Sequence, residues 1–172
     1  MRELRNAVVA AIALTVVFGL AYPLVMTGAA QVLWPNKADG DPTLIARAYP
    51  RTLFQPRPSV TGYAADDTFF NNQGPNQRAL AEQLRGYLDD YLARERRFTP
   101  GLRARDVPPD AVTTSASGVD PHISPENAEI QANRVAAERG IPLEHVLDLV
   151  DDATTRLGPP SVNVVELNEA LR

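Results

Sequence analysis

The sequence predicts an α+β protein, with one N-terminal transmembrane helix followed by a small extracytoplasmic domain of two to three helices and a few short strands. Three observations lead there. No charged residue stands between Asn6 and Asn36. Further on, apolar residues recur at three- and four-residue spacings in separate windows, the mark of amphipathic helices. Near the end, a β-branched run from Val162 to Val165 follows a Gly158-Pro159-Pro160 break. Helices and strands mixed along the chain without regular alternation point to α+β. The 172 residues suffice for one domain and a membrane segment, and not for two well-packed soluble domains.

From Ala7 to Leu33 the chain is mainly Ala, Val, Leu and Ile, with Phe18, Tyr22 and Met26. About 20 such residues span a bilayer core, and hydrocarbon forces them into a helix because every amide must find its partner inside the segment. Trp34 stands where an interfacial aromatic belongs. Pro23, preceded by Gly19, removes a backbone donor and is expected to kink the helix in its second half. A cleaved signal peptide is the rival reading, given the basic start and the small residues Gly28 and Ala30; an apolar run longer than a usual signal core favours a retained anchor. Both readings send the rest of the chain to the same side, because Arg2, Arg5 and the terminal amine stay cytoplasmic under the positive-inside rule. The expected organisation is 1–6 cytoplasmic, 7–34 transmembrane, 35–43 linker and 44–172 extracytoplasmic domain.

The linker carries Pro35, Asp39, Gly40, Asp41 and Pro42, a polar stretch rich in chain breakers. Pro50, Pro56 and Pro58 keep the next segment from forming a long helix, with Thr52 to Phe54 a candidate edge strand. Gly74-Pro75-Asn76 marks a turn, after which Leu80, Leu84, Tyr87, Leu88, Tyr91 and Leu92 make one helix face. Its other face, with Glu82, Arg85, Asp89, Asp90 and Arg94, reads as solvated with weak ion pairs. Thr99 to Pro109 is a loop. Ser124 caps a second helix with Pro125 at its first position, where the missing donor costs nothing, and Gly140 ends it. Pro142 opens a third, shorter helix with the apolar stripe Leu143, Val146, Leu147 and Val150. Val162 to Val165 is a candidate buried strand, and a short amphipathic turn through Leu167 and Leu171 finishes the chain.

The net charge of -4 resides almost entirely beyond the apolar block, and a mildly acidic domain speaks against nucleic acid as a partner. Cysteine is absent, which removes disulfides, thiolate catalysis and thiolate-bound metals. His122 and His145 are the only histidines, so no multi-histidine metal site is available, and no metal or independently bound cofactor is expected. The one lysine, Lys37, stands in the linker, so the phosphate-cradling loop ending in Gly-Lys-Ser or Gly-Lys-Thr is missing, and with it an independent ATPase.

The densest polar cluster runs from Val112 to Pro125. Ser117, His122 and Asp120 offer the residue types of nucleophile, base and orienter, but their closeness in sequence and the lack of a nucleophile elbow argue against a hydrolase. No catalytic residue is expected. Hydroxyls satisfying backbone groups of a tight turn, with Asp120 tying the loop to a neighbouring amide or arginine, need no reaction. Helix amides after Ser124 facing an anion from a partner are a third reading.

The stretches Val112-Thr113, Ser117-Gly118, Asp120-Pro121-His122-Ile123-Ser124-Pro125, Gln131 with Arg134-Val135-Ala136, Leu157-Gly158, Val162-Asn163-Val164, Leu167-Asn168 and Ala170-Leu171 follow in order, behind Tyr22-Pro23-Leu24 and Trp34-Pro35. Together they resemble the KdpC family, the C subunit of the Kdp potassium-transporting P-type ATPase, over nearly the whole chain. Two places depart from the family pattern. Its aromatic-rich approach to Arg-Pro-Ser stands here as Leu53-Phe54-Gln55-Pro56-Arg57-Pro58-Ser59, and its Ser-Gly-Gly-Ser-Asn loop is reduced to Phe70-Asn71-Asn72-Gln73-Gly74-Pro75-Asn76, losing glycines that reach positive φ.

The resemblance implies a non-catalytic accessory subunit of a pump in the bacterial plasma membrane. Its partners would be the lipid bilayer, a channel-like potassium-binding subunit, a P-type ATPase catalytic subunit with a phosphorylated aspartate, and a very small membrane peptide. It further implies a catalytic-chaperone role that raises the ATP affinity of the ATP-hydrolysing subunit, with Ser117, Gly118 and Gln131 the candidate cofactor-binding residues and ATP bound only within the complex. An extracytoplasmic domain does not meet cytoplasmic ATP, so on this topology the effect is indirect. Partner contacts are expected at Pro23, Trp34, Arg57, Asp120, His122, Arg134, Asn163 and Asn168. The alternative is a membrane-anchored extracytoplasmic binding module outside any pump.

Overall fold

The computed structural model describes residues 1–67, 72–156 and 158–172, the side chain of residue 36 excepted, and the chain divides into two units, Met1–Pro42 and Thr43–Arg172. The first is dominated by helix α1, Arg2–Leu33, whose 32 residues leave their apolar window 0% buried. That exceeds the roughly 20 residues a bilayer core requires, and lipid is the solvent suited to an apolar surface so fully exposed. The helix is not α-helical throughout: Thr15–Ala21 is π-helical, and the Tyr22 N–H reaches back to the Val17 carbonyl. The irregularity expected at Pro23 thus takes the form of a wide turn just before it, which accommodates a ring that crowds the preceding turn and offers no N–H. Trp34 closes the helix, donating to the Ala30 carbonyl at 2.8 Å. The linker then begins with one more helical turn, Pro35–Ala38, with Pro35 at its first position, and Gln31 Nε2 donates to Asp39 Oδ1 at 2.8 Å.

The second unit is the α+β body. It contains helices α2 (Arg78–Glu95), α3 (Pro125–Arg139), α4 (Leu143–Asp152) and α5 (Val164–Ala170). Three short strands, β1 (His122–Ile123), β2 (Thr154–Thr155) and β3 (Ser161–Asn163), pair antiparallel in the order β1-β3-β2, with Ile123 and Thr154 on either side of Val162. Helix α3 starts and stops as its sequence predicts: Ser124 Oγ accepts the Asn127 N–H at 3.2 Å, and Gly140 takes the left-handed conformation at φ 66°. Its small residues Ala128, Ala132 and Ala136, with Val135, let Val146 and Val150 of α4, Val162 of β3 and Val164 and Leu167 of α5 close into one core with Phe54 and Ile123. A smaller cluster gathers Tyr91, Leu92, Leu102 and Ala111 beneath α2. The start of the body is fastened to its end: Asn163 Nδ2 donates to the Thr43 carbonyl at 2.8 Å, while the Ala46 N–H donates to Val119 at 2.8 Å.

Several local expectations are corrected. Thr52 to Phe54 is not an edge strand, because the Leu53 N–H turns back to Pro50 at 3.0 Å. Side-chain amides then occupy the positions a neighbouring strand would hold. Asn168 accepts from the Phe54 N–H at 2.9 Å and donates to its carbonyl at 3.0 Å, and Gln131 does the same for Gln55 at 2.8 and 3.1 Å. The run Val162 to Val165 is half strand and half helix: Asn163 Oδ1 accepts the N–H groups of Val165 at 2.9 Å and Glu166 at 3.3 Å, and this cap turns Val164 and Val165 into α5 despite their β-branching. In α4 only Val146 and Val150 are buried, whereas Leu143 and Leu147 remain 39% and 37% exposed. Phe70 and Asn71 of the reduced loop and Leu157 of the last motif lie outside the described residues.

Candidate functional site

On α3, Asn127, Gln131 and Arg134 recur at four- and three-residue spacings and share one face beside the alanine stripe. All three are 1% exposed, and polarity so deeply buried is tolerable only when each group is paired. Gln131 Oε1 accepts from Arg134 Nη2 at 3.0 Å as well as from Gln55, and its Nε2 donates to Asn127 Oδ1 at 3.0 Å. Asn127 Oδ1 also accepts the Tyr91 hydroxyl at 2.9 Å, and its Nδ2 donates to Asp110 Oδ2 at 2.9 Å. Arg134 Nε lies 3.1 Å from both carboxylate oxygens of Glu95, and its Nη1 donates to the carbonyls of Leu53, at 3.0 Å, and Arg51. Glu95 accepts a further bond from Arg94 Nε at 2.7 Å.

The electrostatics follow from this enclosure. Burial pulls the Arg134 guanidinium below its ordinary value, and the Glu95 carboxylate opposes that shift; the group stays charged, because no physiological pH deprotonates arginine. Burial, then Glu95, pushes the Tyr91 phenol well above 10.0. Asp110 completes the arrangement at the helix start, accepting the Ser124 N–H at 2.9 Å and its hydroxyl at 2.7 Å.

A second polar group surrounds the loop before β1. Arg57 donates to the Thr113 carbonyl at 3.3 Å, the Thr113 hydroxyl at 3.2 Å, the Thr114 carbonyl at 3.1 Å and Asp120 Oδ2 at 3.4 Å. Asp120 Oδ1 accepts the His122 N–H at 3.0 Å and lies 3.2 Å from its Nδ1. Gly118, at φ 72°, is pressed against Thr61: a Cβ there would stand 2.9 Å from the Thr61 hydroxyl, so both conformation and space require glycine.

The structure brings Arg57, Asp120 and His122 together, and Gln131 with Arg134. Ser117, Asp120 and His122 border an open cleft, whereas Gln131 borders a different one of about 160 Å³ between Tyr63, Tyr87 and Tyr91. Asn163 and Asn168 act on Thr43 and Phe54, while Pro23 and Trp34 belong to the first unit. Ser117 Oγ accepts the Val119 N–H at 3.2 Å, while His122 Nδ1 faces Asp120.

Sequence reasoning missed Glu95, Asp110, Asn127 and the phenol of Tyr91. A signal existed for two of them. Glu95 continues the apolar face of Leu88, Tyr91 and Leu92, where a carboxylate is out of place, and Asn127 extends the face of Gln131 and Arg134.

Comparison with known proteins covers nearly the whole length. The family described as "K+-transporting ATPase, c chain", KdpC, matches residues 4–172. The potassium-transporting ATPase KdpC subunit of Rhodospirillum rubrum is 41% identical over 189 residues, spanning 99% of this chain and 95% of that protein. The proteins of the same name from Polaromonas naphthalenivorans and Myxococcus xanthus are each 43% identical, over 187 and 175 residues, spanning 98% and 91% of this chain and 93% and 81% of theirs.

Proposed function

The chain belongs to the KdpC family of K+-transporting ATPase subunits, and from that membership we propose that it is the single-span, non-catalytic accessory subunit of a high-affinity potassium-uptake pump, holding the complex together. The observation that carries the reading is a family match over residues 4–172 that includes a helix long and apolar enough to cross a bilayer. The residues that make the family pattern support a scaffolding role: Ser124, Gln131, Arg134, Asn163 and Asn168 each spend their polar atoms fastening the body to itself.

In this reading α1 packs among the membrane helices of a channel-like potassium-binding subunit, a P-type ATPase subunit and a small membrane peptide. Arg2 and Arg5 keep the N-terminus cytoplasmic, and the body lies outside. A rise in the ATP affinity of the catalytic subunit is then transmitted through the complex.

Co-expression of the full chain, or of residues 1–42 alone, with the other pump subunits tests this. Capture through a tagged ATPase subunit should recover the full chain, and loss of the body should abolish potassium-stimulated ATP hydrolysis and raise the apparent KM for ATP of whatever activity remains. A complex that assembles and turns over normally without the chain refutes the proposal. Protease added to spheroplasts should cut the body; full protection would refute the orientation.

A further inference from the structure

Between the last turns of α2 and α3 lies a cleft of about 310 Å³, lined by Arg51, Arg94, Arg97 and Arg134 together with Asp90 and Glu138. Two of the arginines are fixed from beneath. Glu95, 0% exposed, holds Arg94 at 2.7 Å and Arg134 at 3.1 Å, one carboxylate serving two guanidiniums. The Arg97 guanidinium lies 5.9 Å from the ring centroid of Phe98, which supports it without neutralising it. Arg51 is tied by its backbone, its carbonyl accepting from Arg134 Nη1. Arg51 and Arg97 are both exposed, and among the described residues no carboxylate pairs with either side chain. Four guanidiniums against Asp90, Glu138 and the buried Glu95 leave a surplus of a single positive charge, concentrated in a concavity of a chain whose net charge is -4.

That surplus selects the ligand. One carboxylate neutralises it, whereas a phosphate dianion overshoots and a nucleotide triphosphate does so by more, against the repulsion of Asp90 and Glu138. Free guanidinium forks fit carboxylate oxygens in pairs. A small free carboxylate would have to offset its own loss of translational freedom, a cost already met for a carboxylate carried on a docked protein.

We infer that this cleft is the socket for a single carboxylate, an Asp or Glu side chain or a chain terminus, presented by a neighbouring protein subunit. The inference rests on the accessory-subunit reading. Arg51 and Arg97 receive the carboxylate, and Arg94 and Arg134, locked on Glu95, set the field at the floor.

The test uses the full chain co-expressed with the other pump subunits and captured through the tagged ATPase subunit, washed at rising salt. Arg51→Gln with Arg97→Gln should lower retention about tenfold at moderate salt, the scale expected when charged contacts at an interface are removed. Arg97→Lys, which keeps charge but loses the fork, should fall between. Thermal unfolding of the isolated chain in detergent should not change, since both side chains are exposed. Equal retention of the double variant and the parent across the salt series would overturn the inference. Acetate stabilising the isolated parent and not the double variant, with assembly unaffected, would overturn it in favour of a free carboxylate. Failure of the parent chain itself to be captured would remove the accessory-subunit reading and this inference with it, a result distinct from the other two.

Discussion

Glu95 accepts from Arg94 and Arg134 without any exposed surface, so removing either arginine leaves a buried carboxylate with half its compensation. Arg134→Met would leave the carboxylate with Arg94 alone and free the carbonyls of Arg51 and Leu53; the expected loss is about 3–5 kcal/mol, read from the urea midpoint of the full chain in detergent. Glu95→Gln combined with Arg134→Met should cost less than the two single losses added, because the charge left without its partner, Arg94, reaches solvent instead of being buried. Tyr91 adds a pH dependence. Its folded-state pKa is raised above 10.0 by burial and then by Glu95, so the folded chain holds the phenolic proton more tightly than the unfolded chain does. That stabilisation is complete below pH 10 and is lost as the pH climbs beyond it. Tyr63, likewise raised by burial, contributes in the same sense. The urea midpoint should therefore fall above pH 10, and less steeply in Tyr91→Phe than in the parent.

Asn163 ends β3 and caps α5, and one amide does both because its oxygen takes two helix N–H groups while its nitrogen reaches Thr43. Asn163→Ala should cost about 1–2 kcal/mol, the usual range for a lost cap, and Asn163→Asp, which keeps the accepting oxygen and loses the donor, should cost less in the same urea titration. The elements legible in the sequence were those whose boundary chemistry is local. Ser124, Pro125 and Gly140 delimit α3 within the helix's own few turns, and Gly74-Pro75-Asn76 precedes α2 in the same way. Thr52 to Phe54 misled because the groups that satisfy its backbone sit 114 and 81 residues away on α5 and α3. Strands β1 and β2, two residues each, are too short for alternation to register.

For the molecule as a whole, the family was legible because its pattern is spread from the membrane helix to the C-terminus, and no single element had to carry it. The polar spine was legible only in part. Gln131 and Arg134 stood out by motif, whereas Glu95 was marked only by its place on the apolar face of α2, and the partner that explains it, Arg134, lies 39 residues away. The same long reach governs the order in which the body is completed. The carbonyl of Thr43 and the peptide of Phe54 find partners 120 and 114 residues downstream, in Asn163 and Asn168. Those asparagines are synthesised that many residues later, so the first stretch of the body leaves the tunnel long before its clasps exist, with Phe54 uncovered in the meantime. Contacts so distant in sequence form slowly, and the nascent chain stays a client for chaperones until its clasps have emerged. A finished body, and any neighbour that needs one, must wait for those two side chains.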